Sequence, residues 1–260
     1  MRVGRQLLLP AMACCLASGA IACTPGPLEI ASLPTASLAN GLVGHWRLDE
    51  DVGDVANDSS GNGRTGFAAG PGWSWVPGQF GSAMHFSGVD YVTVGGLPRA
   101  TPSYSVSAWV LIQANELGAP VGNILSTEAL GGGWALFTSI GMGGQQSYVF
   151  RYATNAVNGF VSTSCMACVV PGVWTHLTAV VDADAAPPTL TLYVNGVTMT
   201  ALTGGATILP GSTVLDIARS AELSPTFPIT GALDDVTIYA RALVEEEVAE
   251  LSLEPAPNPQ

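Results

Sequence analysis

The chain has 260 residues, of which 20 are acidic and 8 basic, and charged residues make up only 11% of it. Every basic residue is arginine, and a net charge of −12 argues against nucleic acid and anionic membrane surfaces as partners. Divalent cations, neutral glycans and basic partners stay compatible, and the surface is left to Ser, Thr, Gly and Asn, as in extracellular β-proteins.

Arg2 and Arg5 precede a run from Leu7 to Ile21 that is apolar or small almost throughout. Ala20-Ile21-Ala22 then leads directly into Cys23, so residues 1–22 read as a secretory signal peptide. Ala20-Ile21-Ala22-Cys23 also resembles a bacterial lipobox, which implies lipidation of Cys23. Ala20 stands where Leu is commonest, so ordinary cleavage before Cys23 stays open. Thr24 is not the aspartate of inner-membrane retention, and the resemblance then implies the outer membrane. Loss of Arg2 and Arg5 would leave a net charge of −14. No later apolar run approaches the ~18 residues of a membrane helix. Residues 23–40 carry Pro25, Pro27 and Pro34 and read as a tether.

Strands are predicted at Leu42–Leu48, Met84–Val94 and Tyr104–Ile112, the last with residues 104, 106, 108, 110 and 112 on one apolar face. Further strands are expected at Trp134–Ile140, Tyr148–Ala153, Val173–Asp182 and Thr213–Ala218. Thr189–Val194 and Val197-Thr198-Met199 flank Asn195-Gly196, a tight hairpin signal. Only Val244–Leu251 has a helical period, with residues 244, 248 and 251 on one side. Residues 253–260 are Pro-rich and read as a frayed tail. Many strands and one short helix predict an all-β sandwich over residues 41–252, with two antiparallel sheets.

Two acidic residues interrupt the last strand signal, Thr230-Gly231-Ala232-Leu233-Asp234-Asp235-Val236-Thr237-Ile238. A carboxylate there is costly without a partner, and a cation is one such partner. Near the front, Asp58-x-Ser60-x-Asn62-Gly63 spaces oxygen ligands two apart before a glycine turn, like the front half of a calcium loop. An EF-hand is rejected, because its twelfth position is Ala69. Calcium held by Asp58, Ser60, Asn62 and Asp234, with Asp235 and Glu50 as further ligands, is the expectation. The competing reading has Asp58 capping a turn and Asp234 pairing with an arginine.

Cys165 and Cys168 are the pair left in an oxidising compartment and are expected to form a local disulfide. Gly61-x-Gly63-x-x-Gly66 fits a dinucleotide fingerprint, but it lacks the preceding strand and following helix. His45, His85 and His176 lie in strand-like runs without metal-ligand spacing. Glu245, Glu246, Glu247 and Glu250 cluster on the helix, where a solvated face is expected. No carboxylate pair for glycan cleavage emerges. Gly72-Trp73-Ser74-Trp75-Val76-Pro77 and Gly131-Gly132-Gly133-Trp134 place Trp73, Trp75 and Trp134 in glycine-rich loops. Such indoles are either flat platforms for sugars and proteins or core residues.

Several motifs occur in an order that resembles bacterial laminin-G-like domains of the concanavalin A-like lectin/glucanase superfamily. They are Gly44-His45-Trp46-Arg47-Leu48-Asp49-Glu50, Asp58-Ser59-Ser60-Gly61-Asn62-Gly63, Gly81-Ser82-Ala83-Met84-His85-Phe86, Ser107-Ala108-Trp109, Trp174-Thr175-His176, Leu192-Tyr193-Val194-Asn195-Gly196 and the Asp234 segment. The resemblance covers about residues 41–251. It implies a jelly roll, often with one calcium near the meeting point of the chain ends. The function expected is a lipid-anchored or secreted, non-catalytic module binding glycan or protein at the cell envelope. A glycoside hydrolase or polysaccharide lyase of the same superfamily, and a purely structural or adhesion protein, are the alternatives.

Overall fold

The computed structural model describes residues 38–99, 102–113, 121–129, 132–141, 144–154, 159–203, 209–220, 228–254 and 256, all within the unit Thr35–Gln260. The expected signal peptide, Cys23 and most of the tether lie outside the described residues, as does most of the expected tail.

The first strands are β1 (Leu42–Trp46), β2 (Val55–Ala56), β3 (Gly66–Ala69), β4 (Ser74–Pro77), β5 (Ser82–Ser87) and β6 (Tyr91–Val94). Next come β7 (Tyr104–Ile112), β8 (Val121–Ser126), β9 (Trp134–Ile140), β10 (Gln146–Ala153) and β11 (Phe160–Cys165). The chain then forms β12 (Thr175–Asp182), β13 (Thr189–Val194), β14 (Val197–Thr203), β15 (Leu215–Ile217), β16 (Thr230–Tyr239) and α1 (Glu245–Leu251). One sheet runs β14-β13-β12-β7-β16-β5-β4, with β1 also on β16; the other runs β11-β10-β9-β8-β15-β6-β3-β2. The result is the two-sheet antiparallel sandwich with one short C-terminal helix that the alternation predicts. No helix of the described residues is long and apolar enough to cross a membrane.

Alternation decides which side chains fill the space between sheets. In β7, Val106, Ala108, Val110 and Ile112 face the core, with Ser105, Ser107 and Trp109 on the other side. Leu177, Ala179 and Val181 of β12 meet Leu136, Tyr148 and Phe150 of the second sheet in the same cluster. A smaller cluster on the outer side of the first sheet joins Val180, Tyr193 and Tyr239 to Leu243, Val248 and Leu251 around α1.

Three expectations change in detail. The Met84–Val94 run is two strands, because Gly88 (φ +89°) and Asp90 turn the chain between β5 and β6. The hairpin at Asn195 (φ +51°) and Gly196 (φ +75°) forms as expected, but β14 continues to Thr203. The glutamates of α1 are not uniformly solvated. Glu247 is buried and accepts from both Nη atoms of Arg241 at 2.6 and 2.7 Å, so only its neighbours face water.

The acidic pair in β16 has a local cause. This strand pairs with β5 through Thr230–Leu233 and with β1 through Val236–Tyr239. Its register with β7 shifts between Asp234 and Thr237, and Asp235 has φ +52°. The carboxylates therefore occupy a bulge at the handover between neighbours, where polar groups can leave the ladder.

Candidate functional site

Trp73 and Trp75 sit at the start of β4, an edge strand of the first sheet. Their rings meet edge-to-face, with centroids 6.3 Å apart and planes at 78°. Both are half-buried, the inner surfaces packing on the core. The Trp75 indole N–H donates to the Gly53 carbonyl at 3.1 Å, which fixes that ring.

A buried carboxylate builds this turn. Asp90 accepts the Gly72 N–H at 2.7 Å on one oxygen, and the Ser87 N–H at 2.9 Å and hydroxyl at 2.5 Å on the other. Burial alone would push its pKa up. These bonds and one from the Trp73 N–H outweigh it and hold the carboxyl below its usual range. The close approach requires glycine: a Cβ on Gly72 would lie 2.3 Å from the Ser87 hydroxyl oxygen. Gly70, at φ +104°, would put one 2.6 Å from an Asp90 oxygen.

Of the two readings of its glycine-rich loop, platform or core, Trp134 takes the core one. It is only 4% exposed and packs on Tyr104 and Phe150 at 6.1 and 6.0 Å. Gly133 leads straight into β9, which drives the ring between the sheets.

The expected calcium ligands fall into two groups. Asp58 accepts N–H groups of His45 at 3.1 Å and Ser60 at 2.9 Å on one oxygen, and of Arg64 at 2.8 Å on the other. Burial raises its pKa, but bonds from Ser60, Arg64 and His45 dominate and lower it. Asn62 donates to the carbonyls of Leu42 and Val43 at 3.0 and 3.1 Å, and the Ser60 hydroxyl oxygen faces the Asn62 amide at 3.0 Å. Asp58, Ser60 and Asn62 thus form a turn stapled to β1.

Asp234 is different. One of its oxygens accepts the Phe80 N–H at 2.9 Å, and the other is buried without a partner. Burial pushes its pKa up to about 7, against the Phe80 bond and with help from the charges of Asp235 and Asp49. Glu50 accepts the Asn57 N–H at 2.7 Å and likewise has a second oxygen buried and unpartnered. Asp235 is taken by His45, whose Nε2 lies 2.5 Å from its carboxylate. Among the described residues no group of three or more His, Cys, Asp or Glu is arranged to hold a metal ion.

One pairing escaped sequence reasoning. The Ser107 hydroxyl lies 2.7 Å from His176 Nε2, across β7 and β12. Burial pushes the pKa of His176 down to about 3, which keeps the ring neutral. Both residues are almost fully buried and His176 Nδ1 has no partner, so the group that would orient a base is missing. The pair fastens two strands. Cys165 and Cys168 also come together as expected, with sulfurs 2.09 Å apart.

Residues 86–249 match the Laminin_G_3 family, described as the concanavalin A-like lectin/glucanases superfamily. The chain belongs to this family. Its fold is similar to the binding domain of Paraclostridial Mosquitocidal Protein 1, at 17% identity and a TM-score of 0.66, over 83% of this chain and 52% of that one. It is also similar to domain 4 of AbnA, an extracellular arabinanase from Geobacillus stearothermophilus, in complex with arabinotriose. That likeness has 21% identity and a TM-score of 0.61, over 81% of this chain and 98% of that one. A third is the botulinum neurotoxin serotype D ligand binding domain in complex with N-acetylneuraminic acid, with 14% identity and a TM-score of 0.66, over 84% and 52%. The chain spans about half the length of these toxin domains. No curated protein matches it.

Proposed function

We propose that this Laminin_G_3 chain is an exported, non-catalytic carbohydrate-binding module that works at the cell envelope, with the Trp73–Trp75 turn as its sugar platform. The carrying observation is the pair of half-buried indoles, 6.3 Å apart, on a turn held by the buried Asp90. Sugar rings present apolar C–H faces that stack on indoles, and a turn already ordered loses little entropy on binding. The glycans named for two similar folds, arabinotriose and N-acetylneuraminic acid, support glycan as the ligand class.

Export rests on the basic and apolar leader before Cys23, and lipidation of Cys23 would tether the module to the outer membrane. Calcium belongs to the proposal through Asp234 and Glu50, each with an unpartnered buried oxygen, and not through Asp58. When bound, the ion would supply a counter-charge to the acidic bulge; the function needs no step from it.

Depletion of the purified protein by a panel of insoluble polysaccharides tests the reading. Binding to a glycan that Trp73→Ala and Trp75→Ala each abolish supports it. Uptake only by protein-bearing envelope fractions, unchanged in both variants, replaces the sugar platform with an adhesion role.

A further inference from the structure

The two sheet paths end in four strands, β14 and β4 in the first, β11 and β2 in the second. Three of these edges are guarded. β2 has two residues, and β4 has four, the last of them Pro77. On β11 the Ser164 carbonyl accepts the Thr200 hydroxyl at 2.8 Å. β14 is the longest of the four, with seven residues and neither a charge nor a proline. Six of the seven are exposed, and among the described residues only β13 pairs with it. Every second residue of such an edge turns its N–H and C=O away from the sheet.

The sequence around this edge is apolar and nearly free of charge. Of the twelve large apolar side chains exposed among the described residues, six lie on β14 or on the loop from β11 to β12: Val197, Met199, Leu202, Met166, Val170 and Val173. Residues 152–215 contain two charged side chains, Asp182 and Asp184, both at the turn from β12 to β13. In a chain with a net charge of −12, most other surfaces repel their own copy. A partner steered by charge settles on the acidic surface, so the neutral edge favours a strand that is itself uncharged.

We propose that β14 pairs antiparallel with β14 of a second copy of this chain, joining two first sheets across a two-fold axis. Each strand then meets a partner of its own length, exposure and lack of charge, and each copy satisfies the other's edge. The pairing stands independently of the sugar reading, but it has a consequence for it. β4, with the indoles at its start, is at the opposite end of the sheet path, so both tryptophan turns stay open in the dimer. Two platforms on one dimer engage a polymeric glycan together.

Sedimentation velocity of the purified protein between about 1 and 300 µM tests the pairing. The expected result is a dimer that dissociates on dilution. Ala201→Lys and Ala201→Glu each weaken it at least about tenfold, because each charge enters the interface twice and faces its own copy. An equimolar mixture of the two variants restores the dimer, which a mere loss of packing would not allow. Ala201 is exposed, so both variants keep the melting temperature of the parent. A monomer over the whole range, a dimer that both variants leave intact, or a mixture that stays monomeric overturns the proposal.

Discussion

The carboxylate of Asp90 accepts the N–H of Gly72 at 2.7 Å, and that bond sets the direction in which Trp73 leaves the sandwich. The same carboxylate holds Ser87, at the end of β5, so the platform is referenced to the core and not to a free loop. A sugar meeting these indoles finds them already placed.

Asp90→Ala removes the acceptor for four donors, three of them on backbone. It is expected to destabilise the fold by about 3 kcal/mol, the scale of charge-assisted bonds lost at a buried site. Glycan binding should fall as far as in Trp73→Ala, although Asp90 touches no ligand. Asp90→Asn keeps one acceptor oxygen and should be intermediate. Urea unfolding and polysaccharide depletion measure the two effects separately; full binding by Asp90→Ala would make the turn self-supporting.

Asp234 gives the fold a pH dependence of unusual sign. Its folded pKa is raised to about 7, so between about pH 4 and pH 7 the folded state holds a proton that the unfolded state has lost. Stability therefore falls as pH rises through this window, by at most about 4 kcal/mol. Asp58 and Asp90, with lowered values, act oppositely: their contribution is present above the unfolded pKa and disappears as pH falls below it. Asp234→Asn should flatten the slope between pH 4 and 7. An identical slope in parent and variant would assign the effect elsewhere.

Calcium tests the same carboxylate from the other side. An ion seated on Asp234 favours its charged form, so about 2 mM calcium should stabilise the protein by roughly 0.6–1.8 kcal/mol at pH 7, the range for extracellular modules. Asp234→Asn should abolish the gain and Asp58→Asn should not. Equal melting temperatures in calcium and in chelator would remove the ion from the account.

The glutamates of α1 separate by contact. Glu247 holds Arg241 through two bonds and accepts the Val244 N–H at 3.0 Å, which ties the helix start to the chain leaving β16. Glu247→Ala should cost about 3 kcal/mol by taking the carboxylate away from a partly buried guanidinium. Glu245→Ala and Glu246→Ala should change stability by less than about 0.5 kcal/mol. Thermal unfolding of the three variants decides this.

Much of the architecture is legible because β7 and the Asn195-Gly196 hairpin obey local rules: an apolar face at every second residue, or two adjacent residues at positive φ. Strand β8 hides because Gly122 and Asn123 break its alternation, and its register with β9 shifts there. At Asp58 the sequence is ambiguous for a similar reason. A carboxylate two residues before a serine suits a cation and a turn equally, and the N–H groups of His45 and Arg64 that reach it are brought in only by folding. Asp90 carried no signal of its own, since its donors are ordinary backbone groups of Gly72, Trp73 and Ser87.

The most direct test of the central claim is the affinity of the purified protein for a glycan that depletes it, compared among parent, Trp73→Ala, Trp75→Ala and Trp134→Phe. The account predicts that the first two substitutions each weaken binding at least about tenfold, the scale of one lost aromatic platform, while the protein stays folded with a melting temperature lowered by the packing each indole loses. Trp134→Phe should perturb stability and leave affinity intact, because that ring belongs to the core. Undiminished binding by both Trp73→Ala and Trp75→Ala would contradict the account and place the sugar on another surface of the sandwich.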